Sequence, residues 1–145
     1  MNNPPALSRP HPPVMVGGMG EKKTLPLVAQ YAHACNLFAY GGAGTIRHKL
    51  EVLQRHCEDV GRDYEEIERT ALGTANLGPE GMSPDDVIEM CRNLSEAGIQ
   101  HLIFNMPNVH EISAARDVRA EGHPRCRGTV GAFVGCDVCD SLRPE

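Results

Sequence analysis

Short apolar runs alternate along this chain with segments of helical periodicity, and glycines stand at the junctions between them. The apolar runs predict strands at residues 13–16, 35–39 and 101–105 and an extended segment within residues 67–77. Between these runs, apolar residues recur at spacings of three and four, which places them on one face of an α-helix. Connections this short favour right-handed β-α-β crossovers between parallel strands. The sequence therefore predicts an α/β fold with about four parallel strands and intervening helices.

Three helices are predicted between these strands. The first spans about residues 21–34. The second begins at Thr45, a candidate N-cap, and ends before Gly61, a residue that readily adopts the left-handed conformation that follows a helix. The third begins after Ser83, a second candidate N-cap, and ends near Gly98. Periodicity alone leaves a small doubly wound sheet and half of an eight-stranded barrel equally open.

Composition excludes several classes of partner. The 145 residues carry a net charge of −5, and their basic residues form no stripe that would follow a nucleic-acid backbone. No apolar run approaches the roughly 20 residues that cross a membrane, and the N-terminus lacks the features of a signal peptide. We therefore expect a cytoplasmic protein with no nucleic-acid or membrane partner. Three of the six cysteines fall in apolar periodic segments, which favours reduced thiols.

The chain divides into three regions. Five prolines within the first thirteen residues predict an extended arm at 1–12. Residues 13–112 carry the alternating pattern and form the predicted domain. Residues 113–145 lack a helical stripe and are expected to be irregular. The Cys136 to Cys139 spacing in this tail is half of a zinc site, so no metal is predicted.

A glycine-rich segment, GGMGEKK at residues 17–23, lies between the first strand and the first helix. Backbone amides in such a turn can point at an anion beside the positive end of the helix dipole. The segment matches neither the dinucleotide-binding fingerprint nor the Walker loop, because the third glycine and the closing GK[ST] are absent. A tight turn that needs glycine only for its dihedral angles remains the alternative.

Two segments together carry a family resemblance: RPHPPVMVGGMGEKKTLPLVAQYAHACNLF at residues 9–38 and RHKLEVLQRHCEDVGRDYEEIERT at residues 47–70. They resemble the luciferase-like superfamily of oxidoreductases, and most closely its coenzyme F420-dependent members. The resemblance extends over residues 9–112. It implies a TIM-type (β/α)8 barrel, of which this chain would supply the C-terminal half, with the cofactor across the carboxyl ends of the strands.

The resemblance also implies a set of cofactor-binding residues. The glycine turn matches the family position whose amides hold the cofactor phosphate, the helix start would add polar contacts, and the end of the second strand would face the same rim. These residues are Gly17, Gly18, Met19, Gly20, Glu21, Thr24, Asn36 and Phe38. His48 and His56 are interpreted as solvated helix positions, whereas His101 and His110 are the histidines expected near the rim. The catalytic residues are not identified, because the family's N-terminal half has no counterpart here.

A complete barrel needs about 250 residues and eight strands. About four strands are predicted here, so we expect a truncated or split gene whose half-barrel self-associates or needs a partner. A shifted reading frame is a candidate explanation for the sequence of the tail at 113–145. Removing the first base from one permitted set of codons for residues 114–127 gives PLEMFGRRVIPAV, which resembles the family's usual ending.

Three functions are compatible with the resemblance. The first is hydride transfer between a small organic substrate and coenzyme F420 in the complete barrel, with this half binding the cofactor phosphate. The second is an FMN-dependent monooxygenase, since the same barrel type binds both cofactors. The third is a noncatalytic truncated gene product.

Overall fold

The computed structural model describes residue 7, residues 11–77 and residues 80–107. Most of the predicted arm at 1–12 lies outside this part of the chain. The last residues of the predicted domain, 108–112, which include His110, also lie outside the described residues. So does the whole tail at 113–145.

Four strands and three α-helices alternate along the described residues. They are β1 (Met15–Gly17), α1 (Thr24–Tyr31), β2 (Ala34–Phe38), α2 (Gly42–Val60), β3 (Glu68–Thr74), α3 (Pro84–Glu96) and β4 (His101–Asn105), with 3-10 turns at Ala39–Gly41 and Tyr64–Glu66. The strands form one sheet in the order β1-β2-β3-β4, and every adjacent pair is parallel. The predicted α/β class and sequential parallel order are confirmed, and the strand bounds differ from the predicted ones by three residues or fewer.

The helices pack against one face of the sheet. Right-handed crossovers between strands that are neighbours in both sequence and space always carry the helix over the same side. The hydrophobic core accordingly joins helix residues such as Leu25, Val28 and Leu53 to the alternate strand residues that point toward the helices, including Leu37 and Phe104. These side chains are 7% exposed or less.

The strand residues between these, which point away from the helices, form the second face of the sheet, which we call the inner face. Its apolar members lie outside the cluster of buried residues that joins the helices to the sheet, although Ala34 is itself buried; they are Met15, Ala34, Phe38, Leu72 and Ile103. Met15 is 50% exposed and Phe38 is 40% exposed. Polar residues share this face, because Asn36 on β2 is in register with Thr70 on β3. The sheet therefore has one covered face and one mixed apolar and polar face.

The first helix is shorter than predicted at both ends. Residues 21–23 form a turn in which the Gly20 carbonyl accepts a hydrogen bond from the Leu25 amide at 2.9 Å. At the other end, Ala32 is already extended, with ψ of 146°. The chain returns to the sheet there because the His33 amide donates to the Val14 carbonyl at 2.8 Å.

The predicted N-cap of the second helix is wrong. The helix begins at Gly42, and its N-cap residue is Gly41, which offers no side-chain cap. Thr45 lies in the first turn, where its hydroxyl donates to the Gly41 carbonyl at 2.8 Å instead of accepting from an amide. Gly42 has a φ of +71°, which residues with side chains rarely adopt, and it lets the N-cap lie four residues earlier than predicted. The predicted end is confirmed, because Gly61 has a φ of +69°.

The third helix has the predicted start. The Ser83 hydroxyl accepts a hydrogen bond from the Asp86 amide, and the Asp86 carboxylate accepts one from the Ser83 amide at 2.8 Å. This reciprocal capping box satisfies two amides that the helix itself leaves unpaired. Pro84 follows the N-cap, where its missing amide proton costs nothing. The helix ends near Gly98, whose φ is +105°.

The capping box gives a test of the fold. Ser83→Ala is expected to lower the free energy of unfolding by about 1 kcal/mol, because it removes the acceptor for the Asp86 amide. Ser83→Asn keeps an acceptor at the same position and should stay close to the original protein. Urea unfolding monitored by circular dichroism measures both variants. Equal stability of the alanine and asparagine variants would contradict the role of the cap.

Candidate functional site

The carboxyl ends of the four parallel strands share one edge of the sheet, where ligands of parallel α/β folds bind. The predicted site residues lie on β1, on the turn that follows it, at the start of α1 and on β2. β1 and β2 are neighbours, with Gly17 in register with Asn36. The structure therefore brings the two predicted segments together at adjacent strand ends.

The turn between β1 and α1 contains a group of amides that have no partner among residues 11–77 and 80–107. The amides of residues 19–24 donate to no acceptor among the described residues, whereas the Gly18 amide donates to the Asn36 carbonyl at 3.0 Å. The N-cap of α1, Lys23, makes no side-chain capping bond, and the first turn of α1 contains no acidic residue. Unpaired amides before an uncapped helix start form an environment that favours an anion.

Different physical constraints act at the three glycines of this turn. Gly18 has a φ of +130°, which side chains rarely adopt. A Cβ on Gly20 would lie 2.9 Å from the Thr24 hydroxyl oxygen. Gly17 has neither constraint, because its φ is not positive and a Cβ there would meet only the Asn36 carbonyl oxygen at 3.9 Å. Dihedral angles alone therefore account for one of the three glycines.

Met19 and Thr24 contribute to this turn in different ways. The Met19 side chain is half-buried and packs against the hydrophobic core, so only its backbone remains for the site. The Thr24 hydroxyl lies against Gly20, beside the unpaired amides. Of the two predicted contacts, Thr24 is the one whose side chain faces the turn.

The Glu21 carboxylate is directed toward α2. It accepts hydrogen bonds from Lys49 Nζ at 2.5 Å and from His48 Nε2 at 3.1 Å. The Lys49 hydrogen bond is the largest of the effects that lower the pKa of Glu21. His56 Nε2 donates to the Glu21 backbone carbonyl at 2.9 Å. We call these four residues the Glu21 clamp, because they tie the turn to α2.

The clamp bears on the sequence interpretation of two histidines, which was that both are solvated helix positions. The His48 side chain is 54% exposed, as expected, although it contacts Glu21. The His56 side chain is only 28% exposed and contacts the Glu21 carbonyl, so the interpretation is wrong for His56. Sequence reasoning missed these contacts because they join residues 27 to 35 positions apart. Only the packing of α1 against α2 brings them together.

Asn36 and Phe38 lie on the inner face of β2. The Thr70 hydroxyl donates its proton to the Cys35 carbonyl at 2.8 Å and shares it with the Asn36 side-chain oxygen, which lies at 3.1 Å. Phe38 ends the strand and stacks on Tyr40, with ring centroids 5.8 Å apart and ring planes inclined by 12°. Tyr40 was not among the predicted site residues. The only sequence signal for it was an aromatic residue two positions after Phe38, directly before the glycine pair.

A cleft of about 320 Å³ lies between the start of α2 and α3. Gly42, Asp86, Glu89 and Asn93 are among its lining residues. Hydrogen bonds from Ser83 lower the pKa of Asp86, so this carboxylate is charged at neutral pH. The acidic lining makes the cleft unsuitable for a phosphate group.

His101 and the buried cysteines lie away from the β1–α1 turn. His101 was expected near the rim, but it is the first residue of β4, roughly 13 Å before the carboxyl end of that strand. Its Nδ1 lies 3.3 Å from the Glu68 carboxylate. Cys35 and Cys57 are buried and unbonded, and burial raises the pKa of each thiol. They therefore pack as small apolar residues.

Comparison with protein-family models found no match, and comparison with curated proteins found none either. In residues 11–77 and 80–107, no helix is both long and apolar enough to cross a membrane. The same part of the chain contains no group of three or more histidine, cysteine or acidic side chains that could hold a metal ion.

The lowered pKa of Glu21 predicts a pH-dependent contribution to stability. A carboxylate with a lowered pKa stabilises the fold above its ordinary pKa, near 4.5, and loses that contribution as the pH falls through the folded value. Glu21→Gln should therefore lower the urea midpoint at pH 7, and the difference from the original protein should shrink at pH 3.5.

Glu51→Gln is the matched control, since it removes the same charge from an exposed position on α2. We expect it to leave the urea midpoint almost unchanged at pH 7. Equal effects of the two substitutions at pH 7 would show that the clamp does not stabilise the fold.

Proposed function

We propose that the turn between β1 and α1 binds the phosphate group of a flavin or deazaflavin cofactor in an oxidoreductase of the luciferase-like type. The observation that carries this proposal is the run of unpaired amides at residues 19–24 in front of an uncapped helix. Phosphate oxygens accept several hydrogen bonds at once, so they suit a turn that offers several donors. Gly17 supports the proposal, because it keeps the approach to the turn open without a conformational need for glycine.

The charges around the turn suit an anion. Lys22 and Lys23 are exposed in the turn itself. The negative charge of Glu21 is compensated, since Lys49 and His48 hold its carboxylate on the α2 side. The positive end of the α1 dipole adds to this attraction, and no first-turn acid opposes it.

The architecture supports half of a (β/α)8 barrel. A barrel of this type has sequential parallel strands, helices outside and a packed inner face. The sheet has the same order, with its helices on one side and the inner face left uncovered by them. A doubly wound sheet reverses its strand order at one point and so carries helices on both faces. We therefore favour the half-barrel over the doubly wound alternative.

Coenzyme F420 is the cofactor that we favour, and its deazaflavin ring would exchange a hydride with a small organic substrate. The amides of the turn and the Thr24 hydroxyl would bind and orient the phosphate end. FMN is the second candidate, because the turn would contact only a phosphate group, which both cofactors carry. For this chain by itself we propose binding without turnover, since the four strands of the described residues would surround only half of a barrel site.

Gly17→Val tests the phosphate site. The substitution places a side chain at the mouth of the turn without a positive φ or a close contact, so stability should be unchanged. Affinity for F420 and FMN should fall at least tenfold, or about 1.4 kcal/mol. Fluorescence titration of the full chain measures both.

Gly44→Val is the matched control, because a Cβ there meets nothing within 4 Å and lies on α2. It should bind both cofactors as the original chain does. Gly18→Val is a weaker test, because at a φ of +130° it would strain the backbone as well as block the amides. Unchanged affinity in Gly17→Val would refute the phosphate assignment.

The inner face predicts self-association of the chain. The described residues of two copies supply eight strands, and their inner faces would cover one another as the two halves of a barrel do. Ile103→Glu places a charge on this face and should shift sedimentation toward the monomer. Val60→Glu, at an exposed position at the end of α2, should leave the sedimentation profile unchanged. A monomeric original chain, or equal effects of both substitutions, would contradict this expectation.

A further inference from the structure

Phe38 and Tyr40 form an exposed stacked pair at the carboxyl end of β2. Their rings are nearly parallel, and the side chains are 40% and 74% exposed respectively. Aromatic rings usually bury their apolar area, as Phe104 does at 7% exposure. The more exposed ring, Tyr40, therefore has a face free to accept another planar group.

The backbone that carries the two rings is held by strand pairing, packing and a hydrogen bond. Phe38 ends a strand that is hydrogen-bonded on both sides, to β1 and β3. Tyr40 lies at the centre of a 3-10 turn whose first residue, Ala39, packs against the hydrophobic core. The last residue of this turn, Gly41, is held by the hydrogen bond from the Thr45 hydroxyl. A ligand that stacks here would meet rings on an ordered backbone, which reduces the entropy lost on binding.

The pair lies one strand away from the amides of the β1–α1 turn. Gly17 is in register with Asn36, and Phe38 is two residues further along β2 on the same face. Strand spacing and rise per residue place the Gly17 and Phe38 backbones roughly 8 Å apart. A sugar or polyol chain of several bonds would span this distance between a phosphate and a ring.

We propose that Tyr40, supported from behind by Phe38, is the stacking platform for the planar ring of the ligand whose phosphate binds at the β1–α1 turn. This inference rests on the proposed function and adds the ring contact to it. The ligand class is a planar aromatic ring joined through a short polar chain to a phosphate. Aromatic faces attract such rings through stacking, which tolerates different ring chemistries.

The test uses three probes on the full chain: FMN with ring and phosphate, riboflavin with the ring alone, and inorganic phosphate as competitor. Stacking on tyrosine should quench flavin fluorescence in the original protein. Tyr40→Ala should weaken FMN binding about tenfold and abolish the quenching, while inorganic phosphate competes at an unchanged concentration. Tyr40→Phe retains the ring and should restore both affinity and quenching.

Tyr31→Ala is the matched control, since Tyr31 is 66% exposed on α1 and outside the pair. It should behave as the original chain does. Circular dichroism melting curves should show that each variant folds as the original chain does. If Tyr40→Ala is destabilised, Tyr40→Leu becomes the deciding variant, because it keeps the apolar bulk without an aromatic face. It should show the same loss of FMN affinity and of quenching.

The outcomes separate the platform from the phosphate site. FMN binding and quenching that survive in Tyr40→Ala would overturn the platform while leaving the phosphate site intact. FMN binding that depends on Tyr40 but is no tighter than riboflavin binding and is insensitive to inorganic phosphate would support the platform and overturn the phosphate site. Absence of both FMN and riboflavin binding at millimolar concentration would overturn both. Loss of self-association in Tyr40→Ala with unchanged flavin binding would assign the pair to an interface between copies and overturn the platform.

Discussion

The handedness of the connections is the constraint on which the rest of the structure depends. Each strand pairs with the next one in sequence, and a right-handed crossover between adjacent parallel strands places its helix on a fixed side. The three helices therefore bury one face of the sheet and leave the inner face without a helical cover. The same repetition brings the turns that follow the strands to a single edge. Core, inner face and candidate site thus have one geometric origin.

At that edge, the local chemistry differs between neighbouring strands. The turn after β1 provides amides, and the end of β2 provides aromatic rings. A phosphate needs donors and a planar ring needs an aromatic face, so the two strand ends complement the two ends of one ligand. The Glu21 clamp links this edge to the helix layer, because Lys49 on α2 neutralises the carboxylate beside the turn. Its charge would otherwise oppose the binding of an anion.

The local elements were largely predictable because their signals lie within a few residues. Ser83 and Asp86 are three positions apart and form the cap of α3 as the sequence indicates. The start of α2 was misplaced for a local reason, since Gly41 and Gly42 allow a helix to begin without a polar cap and so leave little signal. The start of α1 was misplaced in a similar way. Its N-cap is Lys23, and a lysine without a capping bond gives no signature.

The sequence by itself determined the alternation of strands and helices, the parallel order of the sheet and the glycine turn after β1. These follow from periodicity and from backbone constraints that act over short distances. Only the tertiary structure decided where the side chains of the candidate site point. Glu21 faces Lys49 because α1 packs on α2, and Asn36 meets Thr70 because β2 and β3 pair in that register. It also decided that the Gly18 amide donates to the Asn36 carbonyl, while the amides of residues 19–24 donate to no acceptor in the part of the chain that the structure describes. Such contacts join residues far apart in the chain, so they exist only once the sheet and its helices have assembled.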